Sequence, residues 1–298
     1  MTSLTARLRG DGLQLDFGAA CARLRVPAEI PALTNALERV YQSFTPIDTP
    51  VFCAVDVLVR PLGPRIAPSS CELIVDSERL FDPFPIATHL PILEWGINFL
   101  LAQRLMHVLL LHAGVVARDD RAVVMPAMPG SGKSTLTAAL MNRGFRLLSD
   151  EFGVVDLGTG QLLPMVRPVG LKNASIDVIH AFAPDAVLGP SFGGTRKGTV
   201  AHVAPDAIAV ANCHRSARPA LIAFPQYSPN ASLAEDPVPR SFAFNRLAIN
   251  AFNYTMLGIS AFRAVKRLVN GCRCISLRYG ALDDAIGAIE RMLDDTSD

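Results

Sequence analysis

The stretch from Ala122 to Leu148 constrains the fold more than any other part of the chain. Ala122-Val123-Val124-Met125 is a short apolar strand that runs directly into a loop with glycine at 130 and 132. Thr135 to Asn142 has helical character, Gly144 stands where a helix C-terminal glycine belongs, and Phe145-Arg146-Leu147-Leu148 is again an apolar strand. Strand, glycine loop, helix and strand in this order predict an α/β protein with the loop at the head of the helix.

The loop reads Pro129-Gly130-Ser131-Gly132-Lys133-Ser134, a P-loop pattern. Phosphate groups carry charge that a curled backbone can hold through converging N–H groups, and glycine permits the curl. The helix N-terminus adds a favourable dipole. Pro129, Gly130, Ser131 and Gly132 are therefore predicted to cradle the phosphates of ATP. Lys133 reaches the β- and γ-phosphates, the Ser134 hydroxyl ligates Mg²⁺, and Thr135 is an auxiliary hydroxyl. Ala127 occupies the position where the pattern usually has its first glycine.

Downstream, the apolar strand is predicted to end in Ser149-Asp150-Glu151. Acids beside a P-loop can divide two tasks: Asp150 takes a proton from an attacking hydroxyl and Glu151 holds Mg²⁺. The opposite assignment is chemically equivalent at this stage. His112 lies in Val108-Leu109-Leu110-Leu111-His112, a strand that precedes the loop strand and turns into it through Arg118-Asp119-Asp120-Arg121. Two segments rich in basic residues and glycine, 167–172 and 193–198, are predicted to be loops able to neutralise phosphate charge. Arg196 and Lys197 are the leading candidates, with Lys172 behind them. His202 is a candidate for lining the acceptor site.

The balance of the composition excludes some classes. A net charge of +1 argues against a general nucleic-acid binder. The apolar region 91–116 is interrupted by Glu94, Arg104, His107 and His112, so it reads as core rather than membrane span. Six cysteines with no C-x-x-C pair fit free thiols in a reducing cytoplasm, and the first ten residues lack a secretory pattern. Residues 1–90 read as a smaller N-terminal α/β subdomain, with strands at 12–17, 51–59 and 71–75, a helix at 32–44 and a Pro-rich turn at 61–64. Residues 91–298 read as the main domain. It carries a helix at 91–106, a strand at 219–225, helical spacing at 245–270, a last strand at 274–279 and a closing helix at 282–293.

Leu111-His112-Ala113-Gly114-Val115-Val116, the glycine loop, and Arg143-Gly144-Phe145-Arg146-Leu147-Leu148-Ser149-Asp150-Glu151 together resemble the kinase domain of HPr kinase/phosphorylase. They are more similar still to the HPr kinase-related kinases, a group that includes kinases acting on lasso-peptide precursors. HPr kinase itself commonly has two aspartates where this chain has Asp150-Glu151. The similarity is close over residues 100–175 and looser to about 290. It implies a P-loop kinase core of the HPr kinase type, with Asp150 as catalytic base or acid and His112 beside it. It also implies ATP with Mg²⁺ as cofactors and a serine hydroxyl of a peptide or protein as acceptor. A free amino acid or other small-molecule acceptor, and an ATP-binding switch that transfers nothing, remain alternatives. Acceptor identity, nucleotide preference and oligomeric state are open.

Overall fold

A computed structural model describes residues 4–26, 30–49, 51–64, 68–126 and 130–295. Among them, strands and helices alternate in a mixed α/β fold built on three sheets.

The first sheet has six strands, running Leu13–Asp16, Cys21–Arg25, Val55–Leu62, Ser70–Val75 and Glu78–Arg79 in spatial order, with Phe84–Pro85 also on Ser70–Val75. Its strands alternate buried and half-buried residues, as a sheet covered on one face requires. The helix Pro31–Val40, with Pro31 at its first turn, joins two parallel strands, and His89–Arg104 packs on the same sheet. That second helix opens the segment assigned by sequence to the main domain. Pro61 lies within a strand, opposite Cys71, rather than in the expected turn. Its strand is paired with Cys21–Arg25 only over Val55 to Leu58, so on that side Pro61 has no ladder bond to lose.

The central sheet has eight strands. Val108–Arg118 pairs antiparallel with Arg121–Pro126 through a turn in which Asp119 and Asp120 both have positive φ, 49° and 61°. This is the twist-matched turn that tight hairpins favour. Arg121–Pro126, Arg218–Tyr227 and Arg273–Tyr279 then run parallel, with Ala234–Pro237 at the edge. Alternate residues feed two apolar layers. Val123, Met125, Leu221, Ala223, Ile275 and Leu277 face the helices Lys133–Met141 and Leu282–Asp294. Val124, Ile222, Phe224 and Cys274 face Arg240–Ile249 and Ile259–Gly271. The first layer is continuous with the core under the N-terminal sheet. The helical spacing read over 245–270 is divided by non-helical residues 250–253 and again at Gly258.

The third sheet corrects an expectation. The two basic segments are not loops: Val169–Lys172 and the hairpin Phe192–Thr195/Gly198–Val203 form a three-stranded antiparallel sheet. Only Arg196 and Lys197 lie in its turn. The hairpin is closed by Thr195 Oγ1, which donates to the Gly198 carbonyl at 2.6 Å. No helix among the described residues is long and apolar enough to cross a membrane.

Candidate active site

The acidic pair does not end its strand but interrupts it. Arg146–Ser149 and Phe152–Asp156 both pair with Val108–Arg118, Ser149 opposite Val115 and Phe152 opposite His112. The two strands therefore form one long neighbour of Val108–Arg118, broken at Asp150 and Glu151. Ser149 Oγ accepts the Phe152 N–H at 3.0 Å and spans the break. Backbone that would otherwise lie in the ladder is thus bent where the two carboxylates stand.

Lys133 is the first residue of the helix Lys133–Met141, whose N-cap is Gly132. Gly130 and Gly132 have φ of 87° and 89°, left-handed values that favour glycine. The cradle rests on two tyrosines. The Tyr227 N–H donates to the Ser131 carbonyl at 3.2 Å, and a Cβ on Gly132 would stand 2.9 Å from the Tyr279 hydroxyl and 3.0 Å from Tyr227 Cβ. By contrast, a Cβ on Gly130 would meet nothing within 4 Å among the described residues. Ser131 Oγ and Tyr279 Oη are buried without a hydrogen-bond partner. A glycine curl with an orphaned hydroxyl fits a phosphate group.

Gly114 lets the helix approach the sheet. A Cβ there would lie 2.3 Å from Thr137 Oγ1 and 3.4 Å from Lys133 Cγ. The Lys133 ammonium consequently reaches the strand break. It donates to the Asp150 carbonyl and to Asp150 Oδ1 at 3.2 Å, with Glu151 Oε2 at 3.8 Å. His112 Nε2 lies 4.0 Å from Glu151 Oε2. Burial alone would raise the Glu151 pKa, but Lys133, His112, Lys172 and Lys197 outweigh it and hold the carboxyl below its ordinary range. Burial, with help from Lys133, lowers the His112 pKa, so the imidazole is neutral at pH 7.

His112 is fixed by residues that carry no local motif. Over Val108 to His112 its strand lacks the Arg121–Pro126 neighbour, and residues 250–253 supply the missing bonds. The His112 N–H donates to the Asn250 carbonyl at 2.6 Å, and the Phe252 N–H to the Leu110 carbonyl at 2.9 Å. Asn253, fully buried, accepts from Leu110 N–H and donates to the carbonyls of Leu105 and Val108. The Phe252 ring then stands 5.5 Å from His112 and 4.9 Å from Phe152.

Beyond the acids opens a cavity of about 50 Å³. The helix residues Glu94, Trp95 and Asn98 line one side, and Lys172, Lys197 and His202 of the third sheet line another. Arg167 lies in its wall, paired with Glu94. The structure thus brings Lys133, Asp150, Glu151 and His112 together and sets Lys172, Lys197 and His202 around the same cavity. Arg196, in the same turn as Lys197, is exposed and does not line it. Ser134 and Thr135 are half-buried in the first helical turn. Ala127 and Pro129 lie outside the described residues. Sequence reasoning missed Trp95, Tyr227, Asn253 and Tyr279; each acts through contacts with residues distant in the chain, and only their apolar or amide character was visible. Compared with models of known families and with curated proteins, the sequence matches none.

Proposed function

We propose that this chain is an ATP-dependent kinase with a P-loop core of the HPr kinase type, transferring the γ-phosphoryl group to a hydroxyl. The observation that carries the reading is the convergence of Lys133, from the helix behind a left-handed glycine curl, on two carboxylates set in a strand break. A loop that only packed would have no reason to direct its buried ammonium at a paired acid beside an open cavity.

In this reading Gly130, Ser131 and Gly132 hold phosphate oxygens with backbone N–H groups. Lys133 exchanges its carboxylate contacts for the β- and γ-phosphates. Ser134 and Glu151 would hold Mg²⁺, which when bound neutralises charge on the phosphates. Asp150 accepts the acceptor hydroxyl's proton as the new O–P bond forms and the bond to the ADP oxygen breaks. Neutral His112 positions Glu151. Positioning and charge neutralisation dominate the rate, because a carboxylate is a weak base. The preferred acceptor is a serine hydroxyl of a peptide or protein.

The test is transfer of labelled γ-phosphate from Mg·ATP into pools of serine-bearing peptides and of small hydroxyl compounds. Wild type, Lys133→Ala and Asp150→Asn are compared. Label entering an acceptor with wild type alone is the expected result. Nucleotide binding with slow hydrolysis and no labelled acceptor would replace the kinase by a switch.

A further inference from the structure

The cavity wall opposite the acids carries two exposed lysines that act on Glu151 from beyond ion-pair distance. Lys172 ends the strand Val169–Lys172, and Lys197 sits in the adjoining hairpin turn. Among the described residues, neither forms an ion pair with a carboxylate. Lys197 instead stands 4.8 Å over the Trp95 ring. Below them His202, 4% exposed, lines the cavity with Nδ1 unpartnered, and Arg167 Nε is likewise buried without a partner. Buried polar atoms without a partner are stabilised by a ligand that supplies one.

Size and charge narrow the ligand. About 50 Å³ holds a few waters or one small polar group, and no nucleotide. A dianion there would face Asp150 and Glu151 at short range, whereas a carboxylate brings a single charge. We infer that the phosphoryl acceptor carries a carboxylate close to its hydroxyl, bound by Lys172 and Lys197 while the hydroxyl faces Asp150. The inference rests on the kinase reading and names the acceptor class within it. The carboxylate can belong to a free hydroxy amino acid or to an acidic residue beside a serine in a peptide.

Trp95 is the only tryptophan in the chain, which makes the subsite directly observable. The full chain is titrated with serine and with a C-terminally amidated Ser-Asp peptide, against serinamide and the amidated Ser-Asn peptide, following Trp95 fluorescence. The same four compounds are then assayed as acceptors from Mg·ATP. A saturable Trp95 response and transfer confined to carboxylate-bearing compounds is the expected result, and the better of serine and Ser-Asp peptide identifies the source. Lys172→Gln should weaken binding and raise KM for that acceptor about tenfold, the loss of one charge-assisted hydrogen bond. It should leave the KM for ATP in place. Equal binding and transfer for compounds with and without the carboxylate overturns the inference and leaves the kinase standing. Transfer to no acceptor overturns both.

Discussion

Two buried ion pairs, both within reach of the same cavity, are built on opposite plans. Arg167 and Glu94 are closed. Arg167 donates to Glu94 Oε2, to the Glu94 carbonyl and to Asn98 Oδ1, while the Tyr41 hydroxyl donates to Glu94 Oε1 at 2.7 Å. Phe17 lies against the guanidinium. Lys133 and its acids are open: the carboxylate distances are 3.2 Å and 3.8 Å, and the Glu151 side chain is 37% exposed. The first pair fastens the helix His89–Arg104 to Tyr41 and to the chain before Val169. The second holds the Asp150 carbonyl closely and leaves its two carboxylate contacts long. Burial of charge marks both, and only the second stands at a strand break beside the glycine curl with one carboxylate partly exposed.

The largest expected effect tests the closed pair. Glu94→Leu strands Arg167 and the Tyr41 hydroxyl in the core and should cost about 3–5 kcal/mol in chemical denaturation. Glu151→Gln, at the open pair, should change stability by no more than about 1 kcal/mol while phosphoryl transfer drops. Comparable stability losses in the two variants would erase the distinction. Lys133→Ala should lower kcat about 10²–10³-fold, the usual loss for one preorganised donor, with nucleotide affinity read separately by titration. A variant that retains wild-type turnover would remove Lys133 from the mechanism.

Gly114→Ala probes how the open pair is delivered. Its Cβ would meet Thr137 Oγ1, so the helix Lys133–Met141 must move outward, at about 1–3 kcal/mol and with loss of transfer. Unchanged melting would show that the close approach is dispensable. The smallest effect concerns protons. Burial lowers the pKa of His89 from 6.5 to about 4 and also lowers that of His202. Below pH 6.5 the unfolded chain binds more protons than the folded one, so stability falls as pH drops from 6.5 towards about 4. The loss should be about 1 kcal/mol for His89 at pH 5.5, His202 contributes in the same direction, and His202→Asn should flatten the Tm profile over that window.

Legibility in the sequence followed the range of the interactions. The hairpin at 118–121, the glycine loop, its helix and the next strand each depend on neighbours close in the chain, and their residue types announced them. The strand break was half visible: the acids stood out, but their position inside a continuing strand depends on pairing with Val108–Arg118. Gly193, Gly194 and Gly198 made a hairpin look like a loop, because glycine signals a turn without signalling the ladder beside it. Pro61 misled for the converse reason, since its tolerance depends on which neighbour its strand lacks. Tyr227, Tyr279 and Asn253 serve the site by tertiary contact alone.

The order in which the chain is made also bears on the glycine loop. Arg121–Pro126 has its parallel neighbour in Arg218–Tyr227, and that strand has its own in Arg273–Tyr279. During synthesis the first sheet can close on itself well before these strands emerge. The loop meanwhile waits for the backbone of Tyr227 and the ring of Tyr279, because parallel pairings across such sequence distances form late. A polypeptide halted before residue 279 would possess the whole glycine motif and only the Tyr227 half of the floor it stands on.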